Sequence, residues 1–206
     1  MDVGKLGQSN QTHYSSPVQV PGTSWDQIVI GYKSVHATRT DGTLWTWGQG
    51  GSGRLGLSNN NSYSSPKQIP GTSWKTGERG VIATSVSTGA AVRTDGTLWI
   101  WGQGGGGRLG LNDNSEYNSP TQIPGSWSKV FGGVYANYAI KTDGSLWSWG
   151  RNNKGQLGLN SEHASPANYG RSSPSQIGTE TDWYQATGIE QYAACALRAN
   201  LTPAQK

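Results

Sequence analysis

The feature that most constrains this chain is a motif that recurs along its 206 residues. Its period is about 50 residues, which is the length of propeller blades and exceeds that of leucine-rich or ankyrin repeats. The first block reads TDGTLWTWGQGGSGRLGL, TDGTLWIWGQGGGGRLGL and TDGSLWSWGRNNKGQLGL, starting at Thr40, Thr94 and Thr142. A second block, SPxQ followed by Ile or Val, recurs from Ser15, Ser64, Asn118 and Ser172, and a tryptophan follows each copy.

Each repeat is predicted to contain four short strands. LWTWG and its copies alternate large apolar residues with others, which is the period-two pattern of a half-buried strand. The Asp-Gly pair before each copy predicts a hairpin to the preceding strand, because such turns need a positive φ. The proline of each SPxQ segment suits an edge strand, and the stretch after the following tryptophan supplies the fourth strand. Four strands per repeat, arranged radially, predict an all-β fold of β-propeller blades, each a four-stranded antiparallel sheet.

Composition excludes several other classes of protein. The chain has 31 glycines and 10 tryptophans, but only one Cys and 14% charged residues. Helical bundles need more Ala, Leu, Glu and Lys, and disordered chains lack aromatic residues at this frequency. A lone cysteine allows no disulfide within the chain. The sequence has no apolar run of about 18 residues that predicts a membrane-spanning helix. The formal charge of +4 comes without a Lys/Arg cluster, so nucleic acid is not an expected partner.

The order of these segments has a counterpart in a known family. LWxWGxxxxGxLGL, then SPxQIPG, a tryptophan, an alanine-rich strand and TDG, resembles the repeat of the regulator of chromosome condensation family. It is similar above all to tandem versions in phages and environmental bacteria. The resemblance extends from Gly4 to about Arg198. It implies a β-propeller scaffold that serves nucleotide exchange, chromatin binding, enzyme inhibition or virion roles in different members. No segment matches the exchange factor's functional loop, so no functional residue is carried over.

The repeats divide the chain into unequal parts of one domain. We expect a partial blade over 4–22, blades over 25–70, 74–124 and 127–177, a partial blade over 183–199, and a tail over 200–206. The first part is expected to give one outer strand and the last to give two inner strands, whereas family propellers typically have seven blades. The two ends either close a small four-bladed ring or are completed by strand exchange or association with other chains. We favour association, because tryptophan-rich blades are bulky for a four-fold ring.

Several patterns that suggest chemistry have structural explanations. The paired tryptophans of LWxWG share one strand face and are expected to pack between blades. GQGGSG and GQGGGG match G-x-G-x-x-G, but no helical pattern follows, so we interpret them as turns. The TDG aspartates suit turns, the histidines lack metal-ligand spacing, and Cys195 is expected to be buried. We therefore predict no catalytic residue, metal site or cofactor, and a protein that is not an enzyme.

Repeated positions indicate a candidate binding surface, because equivalent residues of radial units form an arc on one face. One column lies in the GxLG turn and another lies three residues before the SP proline, at the two ends of an Asn/Ser-rich loop. Tyr, Arg, Asn and Gly together suit adaptable recognition surfaces. The alternative is that these side chains cover blade edges and fill gaps between blades. With two residues of an insertion in the last loop, the candidates are Lys5, Arg54, Arg108, Tyr14, Tyr63, Tyr117, Arg171, His163 and Tyr169.

These observations predict a non-enzymatic binding or assembly module. The leading hypothesis is a virion-associated structural protein, such as a phage tail or decoration component, with other virion proteins or copies of itself as partners. One alternative is a cytoplasmic protein-binding propeller that regulates or inhibits an enzyme or a small GTPase. A second alternative is a lectin that binds a glycan receptor. None of these hypotheses includes insertion into a membrane.

Overall fold

The structure, a computed structural model, describes residues 4–160, 170–189 and 193–199. Their strands form three four-stranded sheets, ordered β1–β2–β3–β4, β5–β6–β7–β8 and β9–β10–β11–β12, and a two-stranded sheet β13–β14. Neighbouring strands are antiparallel, which confirms the predicted all-β architecture of propeller blades. The bounds are β1 Trp25–Ile30, β2 Ser34–Arg39, β3 Leu44–Gly48, β4 Tyr63–Ile69, β5 Ile82–Thr84, β6 Thr88–Val92, β7 Leu98–Gly102, β8 Tyr117–Ile123, β9 Trp127–Gly132, β10 Ala136–Lys141, β11 Leu146–Arg151, β12 Gly170–Ile177, β13 Trp183–Ile189 and β14 Ala193–Arg198.

The hairpin between the second and third strands of each blade is held by its TDG sequence. Gly42 takes a φ of 78°, as the predicted turn requires. The Asp41 carboxylate accepts bonds from the amide and hydroxyl of Thr43, and these bonds hold the pKa of Asp41 below its usual value. Trp45 Nε1 in turn donates to the same hydroxyl at 2.8 Å. The later copies of this arrangement are Asp95–Thr97–Trp99 and Asp143–Ser145–Trp147.

The second tryptophan of each LWxWG strand packs between blades, as predicted. Trp101 is buried against Leu44 and Ile69 of the preceding blade, and Trp149 belongs to the equivalent cluster one blade later. Each indole Nε1 also donates to the carbonyl before the Leu-Gly pair of the preceding repeat. These bonds join Trp47 to Lys5, Trp101 to Arg54 and Trp149 to Arg108, at 2.8, 3.1 and 3.0 Å.

The blades stack in chain order, and the first strand of each lines a central cleft of about 570 Å³. Because the strands alternate in direction, the blades have two distinct ends. We call one end the loop face; it carries the turn after each first strand and the long loop after each third strand. The opposite end, the hairpin face, carries the TDG turns and the connections between blades. The division of the chain into blades and a tail stays a prediction.

Two expectations from the sequence are wrong. The segment from Ser15 to Gly22 is not an outer strand. In the complete blades that strand pairs with an LWxWG strand, as β4 does with β3, and no described strand lies beside this segment. Cys195 is exposed rather than buried, because it occupies the position of His36, which the next blade covers, and no described residue covers β14 in that way.

Candidate functional site

The candidate residues of the GxLG column lie along one arc of the loop face. Each reaches the inner turn of the next blade. Lys5 Nζ donates to the Tyr32 carbonyl at 3.2 Å. Arg54 is 3.5 Å from the Val86 carbonyl, and the Arg108 guanidinium lies over an aromatic ring of the following blade.

Arg54 and Arg108 are largely buried, since only 9% and 8% of their surfaces are exposed. Arg54 Nε donates to the Gly51 carbonyl at 2.7 Å, and Arg108 Nη1 donates to Gln103 Oε1 at 2.8 Å. Burial lowers the pKa of both guanidinium groups below the usual value, but arginine stays charged in proteins. The aliphatic parts of both side chains therefore fill the junctions between blades, and both guanidinium groups lie at the loop face.

The tyrosine column stabilises the Asn/Ser-rich loops. Each hydroxyl bonds to the side chain four residues earlier: Tyr14 to Asn10 at 3.0 Å, Tyr63 to Asn59 at 3.4 Å, and Tyr117 to Asp113 at 2.8 Å. The same Asn or Asp accepts the amide two residues on, which is an Asx turn. The hydrogen bond to the carboxylate also raises the pKa of Tyr117. These tyrosines hold the loops in fixed shapes.

The remaining candidates do not extend this arc. Arg171 is exposed at the start of β12, where it pairs with Gly150. His163 and Tyr169 lie outside the described residues.

A pair of arginines around one tyrosine is the strongest charged feature of the loop face. The guanidinium carbons of Arg108 and Arg151 lie 4.7 and 4.5 Å from the centre of the Tyr135 ring. The charge of Arg151 adds to burial in lowering the pKa of Arg108. Neither guanidinium has an acidic partner within 4.0 Å among the described residues. The tyrosine face stabilises both cations, and their mutual repulsion is left uncompensated.

Sequence reasoning missed Tyr135 and Arg151. Tyr135 is the last residue of an inner turn, and its counterparts in the other blades are Lys33 and Ser87, so the column has no constant residue type. Arg151 occupies the position of Gln49 and Gln103, which accept hydrogen bonds from the arginines of the GxLG turns. The replacement of glutamine by arginine in the third repeat is the signal that could have located the pair.

Charge is distributed unequally between the two faces. Among the described residues, ion pairs join Lys75 to Glu78 and Arg198 to Glu180 and Asp182, all on the hairpin face. The acidic residues of the described loop face are Asp113 and Glu116. Its basic residues are more numerous: Lys5, Lys33, Arg54, Arg108, Arg151, Lys154 and Arg171. The described part of the loop face therefore carries a net positive charge.

Other chemistry is sparse in the described ranges. They contain no group of three or more His, Cys, Asp or Glu side chains that could hold a metal ion. Within the same ranges, no helix is long and apolar enough to cross a membrane. His36 is 1% exposed and lies against the Trp101 ring, with centroids 5.5 Å apart. Burial lowers its pKa to about 3, so this imidazole is neutral in the folded protein.

Comparison with known proteins gives a consistent match. The family model described as "Regulator of chromosome condensation (RCC1) repeat" matches residues 41–91, 95–140 and 143–189, and a second model with the same description matches residues 127–156. The chain is 20% identical to human WBSCR16, with a TM-score of 0.67 over 86% of this chain and 46% of that one. It is 18% identical to Prp20p of Saccharomyces cerevisiae, with a TM-score of 0.67 over 88% and 45% of the two chains.

A structure of yeast Prp20 bound to Kap60 aligns with a TM-score of 0.72, at 18% identity. It covers 89% of this chain and 44% of the Prp20 chain. At these identities the likeness is one of fold. The chain spans less than half the length of each of these proteins.

Proposed function

Because this chain belongs to the regulator of chromosome condensation (RCC1) repeat family, we propose that it is a non-enzymatic protein-binding module. Its binding surface is the loop face, and the partner presents an acidic segment there. The observation that carries the proposal is the pair formed by Arg108 and Arg151 over Tyr135, which has no acidic partner among the described residues.

The geometry suits a carboxylate for two reasons. Guanidinium groups bind carboxylates through parallel hydrogen bonds, and such charge-assisted bonds are stronger than neutral ones. A carboxylate between the two arginines also removes their mutual repulsion. The loop that leads to Tyr117 is held by the Tyr117–Asp113 bond and an Asx turn, so little ordering of that loop is needed when a partner binds.

Protein binding by similar folds supports the proposal. The structural study of Prp20p describes binding to Gsp1p and histones, and another Prp20 structure contains Kap60. Those interactions belong to Prp20. What they contribute here is that a propeller of this fold serves as a protein-binding surface.

The test uses an Arg151→Gln variant, which restores the glutamine that occupies this position in the other repeats. The variant is therefore expected to fold. Wild-type chain, Arg151→Gln and a control, Lys75→Gln, are immobilised and exposed to a lysate of the source organism at physiological salt. Quantitative mass spectrometry is expected to find a partner that the wild type and Lys75→Gln retain and Arg151→Gln loses. Equal retention by all three proteins, or no enriched protein, contradicts the proposal.

The location of that partner is a separate proposal. We propose that this chain acts on a virion, in a tail or decoration role. The phage-like repeat sequence and the Gly/Trp/Tyr/Asn composition support this proposal. Co-sedimentation with purified particles, and genes for tail, baseplate or capsid proteins beside its own, are expected. Capture of a soluble cytosolic enzyme or GTPase instead supports the regulator alternative. Retention on a glycan array that is lost in Tyr63→Ala supports the lectin alternative.

A further inference from the structure

The second repeat carries an insertion that reaches the central cleft. Residues 74–93 correspond to residues 25–39 and 127–141 of the neighbouring repeats and are five residues longer. The additional length falls in residues 75–80, KTGERG, which we call the floor segment. We propose that the floor segment makes the central cleft a binding site for a small amphipathic monocarboxylate, whose carboxylate binds Arg79. This inference is independent of the arginine pair on the loop face.

Three hydrogen bonds hold the floor segment between the first strands of the two neighbouring blades. On one side, the Gly77 amide donates to a carboxylate of β1 at 3.0 Å. On the same side, Gln27 Nε2 donates to the Glu78 carbonyl at 2.8 Å. On the other side, the Val130 amide of β9 donates to the Gly80 carbonyl at 2.6 Å. The floor segment therefore lies across the hairpin-face end of the cleft, and a ligand enters from the loop face.

A glycine allows the floor segment to approach β9 this closely. Gly80 has a φ of 83°, and a Cβ added to it would meet the Phe131 ring at 2.9 Å. Gly80 and Phe131 both line the cleft. The end of the floor segment and this aromatic ring therefore form one continuous part of the cleft surface.

The lining of the cleft combines apolar walls with a single charge. Among the described residues that line it, Arg79 is the only charged one. The cleft has a volume of about 570 Å³, which lies within the range of small-molecule sites. Its apolar lining residues include Val29, Ala83, Val130, Phe131 and Ala186. One cation beside apolar walls suits a ligand with one negative charge and an apolar body.

The charge of Arg79 is not neutralised within the described part of the protein. No acidic group lies within 4.0 Å of its guanidinium among those residues. The neighbouring acids are engaged elsewhere, because Glu78 pairs with Lys75 and the Asp26 carboxylate accepts two hydrogen bonds. Guanidinium groups bind carboxylates through two parallel hydrogen bonds. A ligand carboxylate therefore supplies the counterion that Arg79 lacks.

The test compares 2-naphthoate with its uncharged analogue 2-naphthamide by isothermal titration calorimetry at pH 7.5. The 206-residue chain is expected to bind one 2-naphthoate with a Kd below about 1 mM. The amide is expected to bind at least about tenfold more weakly, because a hydrogen bond between charged groups typically contributes that much. Arg79→Gln, at an exposed position, is expected to keep the wild-type melting temperature and to bind the acid no better than the amide.

Three further variants locate the binding. Lys67→Gln removes one positive charge from the exposed side of β4, and Arg151→Gln removes one from the loop-face pair. Both are expected to bind 2-naphthoate as the wild type does. Thr187→Trp places an indole at an exposed position of the cleft lining and is expected to abolish binding.

Several results would overturn the proposal. They are no saturable binding of 2-naphthoate at about 1 mM, equal affinity for the acid and the amide, and undiminished binding by Thr187→Trp. A loss in Lys67→Gln or Arg151→Gln as large as that in Arg79→Gln also overturns it, because the carboxylate would then be bound outside the cleft or by net charge alone.

Discussion

Replacing His36 by alanine should remove most of the sensitivity of this protein to mild acid. His36 is buried, and neither ring nitrogen has a hydrogen-bond partner among the described residues. Alanine fits the position, because Ala90 occupies it in the next blade. Burial lowers the pKa of the folded imidazole from 6.5 to about 3. Between these values the unfolded chain holds a proton that the folded chain lacks, so a fall in pH favours unfolding.

The magnitude follows from this difference. Each pH unit between the two pKa values changes the free energy of unfolding by about 1.4 kcal/mol. Lowering the pH from 8 to 5 therefore costs the wild type about 2 kcal/mol of stability through His36 alone. This loss of stability is set by the ordinary histidine pKa of 6.5, because any pKa of the folded His36 well below 5 gives the same loss at pH 5.

Urea unfolding at pH 8, 7, 6 and 5, followed by tryptophan fluorescence, measures the effect. The wild type is expected to lose stability progressively below pH 6.5. His36→Ala is expected to be less stable at pH 8, because the ring packed on Trp101 is gone, but to change much less with pH. The control is Val35→Ala, which removes a buried neighbour that has no titratable group and should keep the wild-type slope. Equal slopes for the wild type and His36→Ala would refute the reasoning.

Two further substitutions test the packing of the repeats. Gly110→Ala should lower the melting temperature more than Gly158→Ala, because both place alanine at a positive φ but only the first meets a tryptophan ring, at 2.9 Å. Calorimetry is expected to show a difference of at least about 1 kcal/mol, or roughly 2–4 °C. Equal losses would mean that Gly158 is as crowded as Gly110. Ser145→Ala should lower the free energy of unfolding by about 1–2 kcal/mol, since it leaves Trp147 Nε1 and Asp143 without their shared hydroxyl. Ser145→Thr should be neutral, because Thr43 and Thr97 hold this position in the other blades. Thermal unfolding separates the two variants, and equal destabilisation by both would contradict the role of the hydroxyl.

The sequence predicted the features that depend on local chemistry. Asp-Gly turns, the period-two LWxWG strands and the proline-bearing edge strands were recognisable because each repeat restates the same backbone requirement. The same local reasoning wrongly predicted an outer strand in the segment after Ser15. That segment has the edge-strand sequence, but a strand also needs a neighbour to supply its hydrogen bonds. The predicted burial of Cys195 was wrong for a similar reason, because the burial of a residue depends on whether the next blade covers it.

The candidate site was only partly predictable. Comparison of equivalent positions in the repeats identified Arg54 and Arg108. It could not show whether such an arginine is buried between blades or keeps its guanidinium group accessible to a partner. The arginine pair arises where Arg151 breaks a column of glutamines, and it becomes visible only when the fold brings it beside Tyr135. Residues that differ between repeats have no symmetry to signal them, so their proximity has to be observed in the structure.

Hydrogen–deuterium exchange of the chain with its captured partner tests the account most directly. The central claim is that the partner binds the loop face around Arg108, Tyr135 and Arg151. The account predicts slower exchange in the inner turn at 133–135 and in the segments around 103–108 and 151–156, with the TDG hairpins unchanged. Slower exchange confined to the hairpin face around Asp41, Asp95 and Asp143 would contradict it.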